Sequence, residues 1–321
     1  MNKKIIDFEA LESNLERYKS KKICAMVKAN AYGHGVTEIT NFLDDKVEYF
    51  GVSSLKEAEE IRSISDKKIL IASPCYNISE CKKKHLDFIV DNFDELEECR
   101  KKDCLDLVHV KINTGMNRFG FDCDDKKTLK KLRLFFKENQ VAGLSTHFSN
   151  LKDRKLTISQ YTKFLKVKKF LHTDCLVHLG GSNVINYNFD YDMIRAGLGL
   201  YLGDKRVMRI YSKIMEIRNL TSGSVGYEEK FEITKPTRLA LIPIGYADGL
   251  LRSYSGCKVL INGEECPIVG RICMDLCFVD VTNVCCEVGD EVEVLHNIFE
   301  VMKRTKLTPY EIFTNFNNLR V

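Results

Sequence analysis

Between Ile23 and Ala196, short apolar, β-branched runs alternate with charged stretches whose apolar residues recur at helical spacing. The runs predict strands at Ile23–Lys28, Tyr49–Ser53, Ile69–Ser73, Phe88–Asp91, Leu107–Asn113, Ala142–His147, Leu176–Leu179 and Met193–Ala196. The stretches between them predict helices, among them Val36–Asp44, Leu55–Ser63, Asp94–Lys101, Asp125–Asn139 and Ile158–His172. Only a short helix fits after the seventh strand. Eight strands, most followed by a helix, predict an α/β chain that opens with a closed (β/α)8 TIM barrel. The alternative is an open doubly wound sheet, but no Gly-x-Gly-x-x-Gly follows the first strand. After Arg206 the pattern changes to strands and turns: Ile210–Leu220, Ser224–Ile233, Arg238–Ile244, Lys258–Ile261, Ile268–Ile272, Phe278–Val281 and Glu291–Leu295. Asn262-Gly263 between two of these runs is a hairpin signal. The expected organisation is a barrel over residues 1–207 and a C-terminal all-β domain over residues 208–321, with residues 1–10 open to pairing with the second domain.

Composition narrows the function classes. The chain has 321 residues, 44% hydrophobic and 29% charged, an ordinary soluble globular balance. Its net charge of +4 comes from 49 basic and 45 acidic residues spread along the chain. Runs such as Lys82-Lys83-Lys84 read as a solvated helix face, so no nucleic-acid partner is expected. No apolar stretch approaches the ~18 residues of a membrane span. The longest window, Leu239–Tyr246, contains Pro243 and Gly245. The N-terminus has no apolar h-region, so no signal peptide is expected. Thirteen cysteines without any Cys-x-x-Cys pair suit neither a zinc site nor a disulfide framework. They suit buried small hydrophobes in a reducing cytoplasm, with no metal expected.

In a barrel of this kind chemistry sits where strands end. The polar residues at those ends are Lys28, Ser73, Asp91, Lys111 with Arg118, His147, Ser182 and Arg195. A lysine closing an apolar strand is expensive to bury charged, and burial lowers its pKa toward a free amine able to form a Schiff base. On the bare position alone, a solvent-facing lysine is the simpler reading. The small residues and glycines of Lys28-Ala29-Asn30-Ala31-Tyr32-Gly33-His34-Gly35 point to a close backbone approach to a ligand such as a phosphate.

Val27–Gly35 resembles the pyridoxal-phosphate lysine motif of the alanine racemases. Further blocks resemble the same family in the same order: Thr114–Gly120, Thr146-His147-Phe148, Ile194-Arg195-Ala196-Gly197, Ile242–Gly249 and Val269–Asp275. The resemblance covers nearly the whole chain. It implies that Lys28 carries the cofactor and serves as one base, and that Tyr227, in Ser224-Val225-Gly226-Tyr227, serves as the second on the opposite face. A tyrosine of reference pKa ~10 needs its anion stabilised. The family relay that does so corresponds to His147 and Arg195. Arg195 would also face the pyridine nitrogen and, donating only, leave it unprotonated. Taken singly, His147 reads as well as a core histidine, and Tyr227 as a strand aromatic.

The same resemblance assigns cofactor contacts to Tyr32, Arg118, Ser182, Gly197 and Leu198. It assigns substrate contacts to Arg118, Met274 and the entrance residue Tyr246, with Asp275 behind them. Lys111 resembles a lysine that is carbamylated in some members. A homodimer with shared active sites is implied, acting on L- and D-alanine and supplying D-alanine for peptidoglycan. Departures from the family pattern are Gly181 in Leu179-Gly180-Gly181-Ser182, the charged Glu228-Glu229-Lys230 after Tyr227, and Asn318 near a position that holds a phosphate-binding tyrosine in some members. A racemase of another or several amino acids, such as serine, is the second reading. A non-enzymatic pyridoxal-phosphate carrier and a related barrel decarboxylase are weaker ones, since the second domain, Tyr227 and Arg195 argue against them.

Overall fold

The structure, a computed structural model, describes residues 2–74 and 77–320. It divides into two compact units.

The first unit comprises Glu12–Ala31 and Val36–Gly203. Its strands are Lys22–Met26, Tyr49–Val52, Lys68–Pro74, Asp87–Val90, Val108–Asn113, Gly143–Ser145, Leu176–His178 and Met193–Ala196. They are all parallel, each beside its sequence neighbour, and the eighth pairs back with the first. This is the closed (β/α)8 barrel expected from the sequence. Every residue of Tyr49–Val52 and Asp87–Val90 is buried, as strands covered on both faces require. Helices follow where polar caps start them. Ser54, Asn77, Asn92, Asp125 and Asp153 each accept from a backbone N–H in the first turn. The segment after the seventh strand is only a 3-10 turn, Ser182–Asn186. Lys82 and Lys83 lie on the helix Ile78–Lys83, which buries Ile78 and Cys81.

The second unit takes the N-terminal residues through Leu11, Tyr32–Gly35, and the chain from Asp204 onward. It holds an eight-stranded antiparallel sheet in which Lys3–Ile6 pairs with Met208–Tyr211. Asn262 (φ 50°) and Gly263 (φ 85°) form the two-residue turn joining Lys258–Ile261 to Glu264–Val269, as Asn-Gly predicts. Two expected strands are broken. Ile210–Leu220 divides into Met208–Lys213 and Glu216–Leu220. Ser224–Ile233 becomes a hairpin, Gly223–Val225 with Phe231–Ile233, because Gly226, Glu228 and Glu229 take positive φ and turn the chain. The unit also carries helices at Ile298–Thr305 and Pro309–Asn315, beyond the all-β pattern read from the sequence. The second begins with a capping box, Thr308 and Glu311, and Pro309 at its first position.

Eight of the twelve described cysteines are buried and none forms a disulfide; Cys75 lies outside the described residues. No helix of the described residues is long and apolar enough to cross a membrane.

Candidate active site

Lys28 lies two residues beyond the first barrel strand, and the chain then winds the wrong way. Ala29, Asn30, Ala31 and Tyr32 all sit at φ between 51° and 56°, a single left-handed turn closed by Ala31 N–H donating to the Val27 carbonyl (2.8 Å). For residues with a Cβ this costs about 1–2 kcal/mol each. Small side chains lessen the crowding, and two polar groups hold the turn. Glu57 accepts from the Ala29 N–H (2.8 Å) and from Ser53 through N–H and hydroxyl (2.8 Å each). Asn30 Oδ1 accepts from the Val36 N–H (2.7 Å). Glu57→Ala leaves two amides without their carboxylate and is expected to lower stability by about 1.5–3 kcal/mol, the range for hydrogen bonds to a charged group. Urea unfolding checks this.

The barrel mouth collects cations. The Lys28 amine is pushed below its usual pKa, first by burial and then by Arg118, with Glu57 opposing. Lys111 is buried on the fifth strand, and its pKa is pushed far down by burial, Arg195 and Arg118. Its ammonium and the Arg118 guanidinium lie 5.6 and 5.0 Å from the same Phe119 ring. Asn113 shapes the loop between them, accepting from Gly115 N–H (3.1 Å) and Asn117 N–H (3.0 Å). His147 is driven to about 2, first by burial and then by Arg195, Lys111, Arg118 and Lys28, so it is neutral at any ordinary pH. Arg195, 6% exposed, falls to about 10 through burial and stays charged at neutral pH. Its Nη2 donates to the Thr146 carbonyl (2.8 Å) and to His147 Nδ1 (3.2 Å). Arginine only donates, so Nδ1 accepts and the His147 proton sits on Nε2.

Ser182 is buried at the start of the turn that follows the seventh strand. Its Oγ accepts from Gly197 N–H (2.9 Å) and Gly199 N–H (3.0 Å), leaving the hydroxyl proton for another acceptor. A Cβ at Gly199 would lie 2.1 Å from Tyr18 Oη and 2.7 Å from Ser182 Cβ, so only glycine fits. Gly199→Ala is expected to cost about 1–3 kcal/mol by overpacking and to displace Ser182. Chemical denaturation measures the first effect, phosphate-group affinity the second. At Gly181 a Cβ would meet only the Arg195 carbonyl at 3.9 Å, so the missing side chain leaves open space.

The alanine racemase N-terminal domain family matches residues 6–205, and the alanine racemase C-terminal domain family matches residues 207–321. Together they account for nearly all of the chain. The chain belongs to the alanine racemase family. The alanine racemase of Thermodesulfovibrio yellowstonii is 32% identical over 97% of this chain and 92% of its own length. That of Fusobacterium nucleatum is 31% identical over 96% and 95%. Among solved structures, the alanine racemase of Acinetobacter baumannii superposes with a TM-score of 0.89 at 28% identity, covering 98% of this chain and 97% of that one. The Bartonella henselae alanine racemase, solved with covalently bound pyridoxal phosphate, gives 0.89 at 27% identity with the same coverage.

Of the alanine racemase positions read from the sequence, Lys28, Lys111, Arg118, His147 and Arg195 act on one another electrostatically in the barrel mouth. Ser182 and Gly197 are joined by a hydrogen bond, Leu198 opens the short helix that follows, and the second amide on Ser182 comes from Gly199, which was not read from the sequence. Ser73 and Asp91 serve the backbone instead, Ser73 donating to the Ser53 carbonyl (2.6 Å) and Asp91 accepting from Gly120 N–H (3.2 Å). Tyr32, Tyr227, Tyr246, Met274 and Asp275 belong to the second unit. Tyr32 is buried, its ring 5.8 Å from that of Tyr310. Tyr227 is 65% exposed on the tip of its hairpin, and the Glu228 after it is held by Arg271 at 2.6 Å.

The Tyr246 and Met274 loops are tied together. Ala247 N–H donates to the Met274 carbonyl (3.1 Å), and Arg320 bridges the buried Asp248 (2.7 and 2.8 Å) to Asp275 (2.8 Å). Sequence reasoning did not single out Glu57, Thr146, Asp87, His109, His178 or Arg320. For the two histidines the legible signal was a titratable side chain within an apolar run, as in Val108-His109-Val110 and Val177-His178-Leu179.

Proposed function

We propose that the chain is a pyridoxal-phosphate-dependent alanine racemase that interconverts L- and D-alanine with Lys28 and Tyr227 as opposed acid–base groups. The observation that carries this reading is the Arg195–His147 pair beside a depressed lysine. Arg195, a cation, donates to a neutral His147 whose remaining proton sits on Nε2, and by the family resemblance this cation takes the place that an acid holds in an electron-sink enzyme of another class. Pyridoxal phosphate, when bound, draws electrons from the α-carbon of an attached amino acid. The residues suit it. Lys28 offers an amine already biased toward the neutral form, Ser182 a spare hydroxyl proton beside two amides, and Gly199 a place where any side chain would clash.

Arg118 is placed to grip a carboxylate with its planar fork. Arg195 has no proton to surrender near neutral pH, so it weakens the electron sink and favours simple proton return over decarboxylation or amino transfer. Lys28 Nζ holds or releases the proton on one face. Tyr227 Oη does so on the other, as a phenolate that accepts a hydrogen bond from His147 Nε2–H. Tyr227 and Met274 (52% exposed) suit a role at the barrel mouth of a second copy, which makes the enzyme a homodimer with shared active sites. Tyr246 and Tyr32 complete the entrance and the phosphate side. Two domains meeting near residue 207, a cytoplasmic location and a part in supplying D-alanine for peptidoglycan complete the reading.

Lys111 is proposed to be carbamylated, since every neighbouring charge acting on its amine is positive and an anion there would brace Arg118. Carbon-13 bicarbonate is expected to give one slow-exchanging carbamate resonance that Lys111→Ala removes.

The test of the function is a two-direction assay. Purified protein supplied with pyridoxal phosphate is incubated with L- or D-alanine, and optical activity is followed. Both solutions are expected to reach the same racemic end point. Faster turnover of serine than of alanine would favour the broader-specificity reading, and no turnover of any amino acid would refute racemisation.

A further inference from the structure

A line of polar groups runs through the barrel core behind Arg195. Arg195 Nη1 donates to His178 Nδ1 and to the His178 carbonyl (3.3 Å). His178 Nε2 lies 2.9 Å from His109 Nδ1, and His109 Nε2 lies 3.1 Å from Asp87 Oδ2. Burial and the nearby Asp87 carboxylate push the Tyr49 hydroxyl pKa up. The line crosses the fourth, fifth, seventh and eighth strands. Asp87 is 1% exposed, and both histidines are fully buried.

Its proton positions follow from one end. Arg195 only donates, so His178 Nδ1 accepts and the single proton of the neutral ring sits on Nε2. That proton makes His109 Nδ1 an acceptor and puts the His109 proton on Nε2, where it points at the Asp87 carboxylate. Every bond therefore runs the same way, from guanidinium to carboxylate. Burial and the charge of Arg195 hold His178 well below its usual pKa, which keeps that ring neutral.

The barrel is shaped around this line. His109 is the register partner of Gly143, and a Cβ on Gly143 would lie 2.2 Å from His109 Nδ1. Barrel interiors of this type are normally filled by branched aliphatic side chains. Four polar groups there are costly unless each bond is made, and an apolar filling of equal volume is often at least as stable. Stability alone thus gives no reason for the line; the guanidinium it ends on does.

We propose that Asp87, His109 and His178 are positioning residues that lock Arg195 in one orientation and balance its buried charge, and so restrict the enzyme to racemisation. This rests on the proposed function, in which Arg195 faces the cofactor. The relay makes two demands. The guanidinium cannot turn away without leaving His178 Nδ1 unpaired, and its charge is compensated through two neutral rings by a carboxylate that never reaches substrate.

Two experiments decide it. Nitrogen-15 histidine spectra of the cofactor-free protein at neutral pH are expected to show His109 and His178 both as neutral Nε2–H tautomers. An Nδ1–H tautomer or a charged ring at either position overturns the relay, whatever the enzyme catalyses. In the loaded enzyme, His178→Phe is expected to raise pyruvate formed per racemisation event at least about fivefold and to shift the visible absorbance maximum. His178→Gln, with an acceptor and a donor on one amide, is expected to restore both. Wild-type partition and spectrum in H178F would refute the proposal, as would failure of H178Q to outperform it. If H178F does not fold, Asp87→Asn keeps an acceptor for His109 but removes the charge. It is expected to move the partition in the same direction, and an unchanged partition there is equally fatal. A protein that racemises nothing would sink the proposed function and leave the tautomers to decide the relay alone.

Discussion

Lys28→Ala is expected to reduce racemisation of alanine by at least about 10³-fold, since it removes both the covalent anchor and one of the two proton-transfer groups. The physical basis is the position of the amine. Lys28 is half-buried just beyond the first strand, among Arg118 and the other cations of the mouth, and its pKa is pushed down by both effects. No other lysine in the mouth can substitute. Lys111 is buried on a different strand and pressed against Phe119. The measurement that separates anchoring from base loss is borohydride reduction followed by peptide mass analysis. Wild type is expected to carry the cofactor mass on the Lys28 peptide, and K28A on no peptide. Cofactor fixed elsewhere in K28A, or activity within about tenfold of wild type, would mean that a different amine does the work.

Tyr227→Phe tests the second face. The equilibrium between enantiomers is even by symmetry, so kcat/KM must fall equally in the two directions for any variant. The expected fall is about 10²- to 10⁴-fold, the usual contribution of a positioned acid or base. The asymmetry appears instead in deuterium exchange at the α-carbon in heavy water. Y227F is expected to retain exchange within about tenfold for the enantiomer whose proton faces Lys28, and to lose it for the other. Equal loss of exchange for both enantiomers would contradict two opposed groups. The substitution removes only a hydroxyl from a residue 65% exposed, so unfolding does not confound it.

All eight barrel strands were legible because each is a short, nearly continuous apolar run bounded by polar caps. Asn262-Gly263 was legible because few other dipeptides accept positive φ at both positions. The hairpin bearing Tyr227 was read as one strand because Glu228 and Glu229 are ordinary residues that give no sign of positive φ. Helix Pro309–Asn315 carries a local start signal, Thr308-Pro309-x-Glu311, that the sequence reading did not use. Lys28, Arg118, His147, Ser182 and Arg195 could be named because they stand at or just beyond the ends of apolar runs and within the family blocks. Asp87, His109 and His178 were not named, because a titratable side chain inside an apolar run does not by itself tell whether it completes a hydrogen-bonded line or is satisfied by its own backbone.

The sequence by itself therefore determined the element order, the barrel and the family blocks, since these depend on local periodicity and on residue identity. The tertiary structure alone decided the left-handed winding after Lys28, the depressed amines of Lys28 and Lys111, and the tautomers of His147 and His178. These depend on burial and on charges brought together from strands far apart in the chain. His178 meets His109 across 69 residues, and Arg195 meets His147 across 48. Proton positions follow from those meetings because a guanidinium can only donate, and that constraint passes from ring to ring only once the barrel has closed.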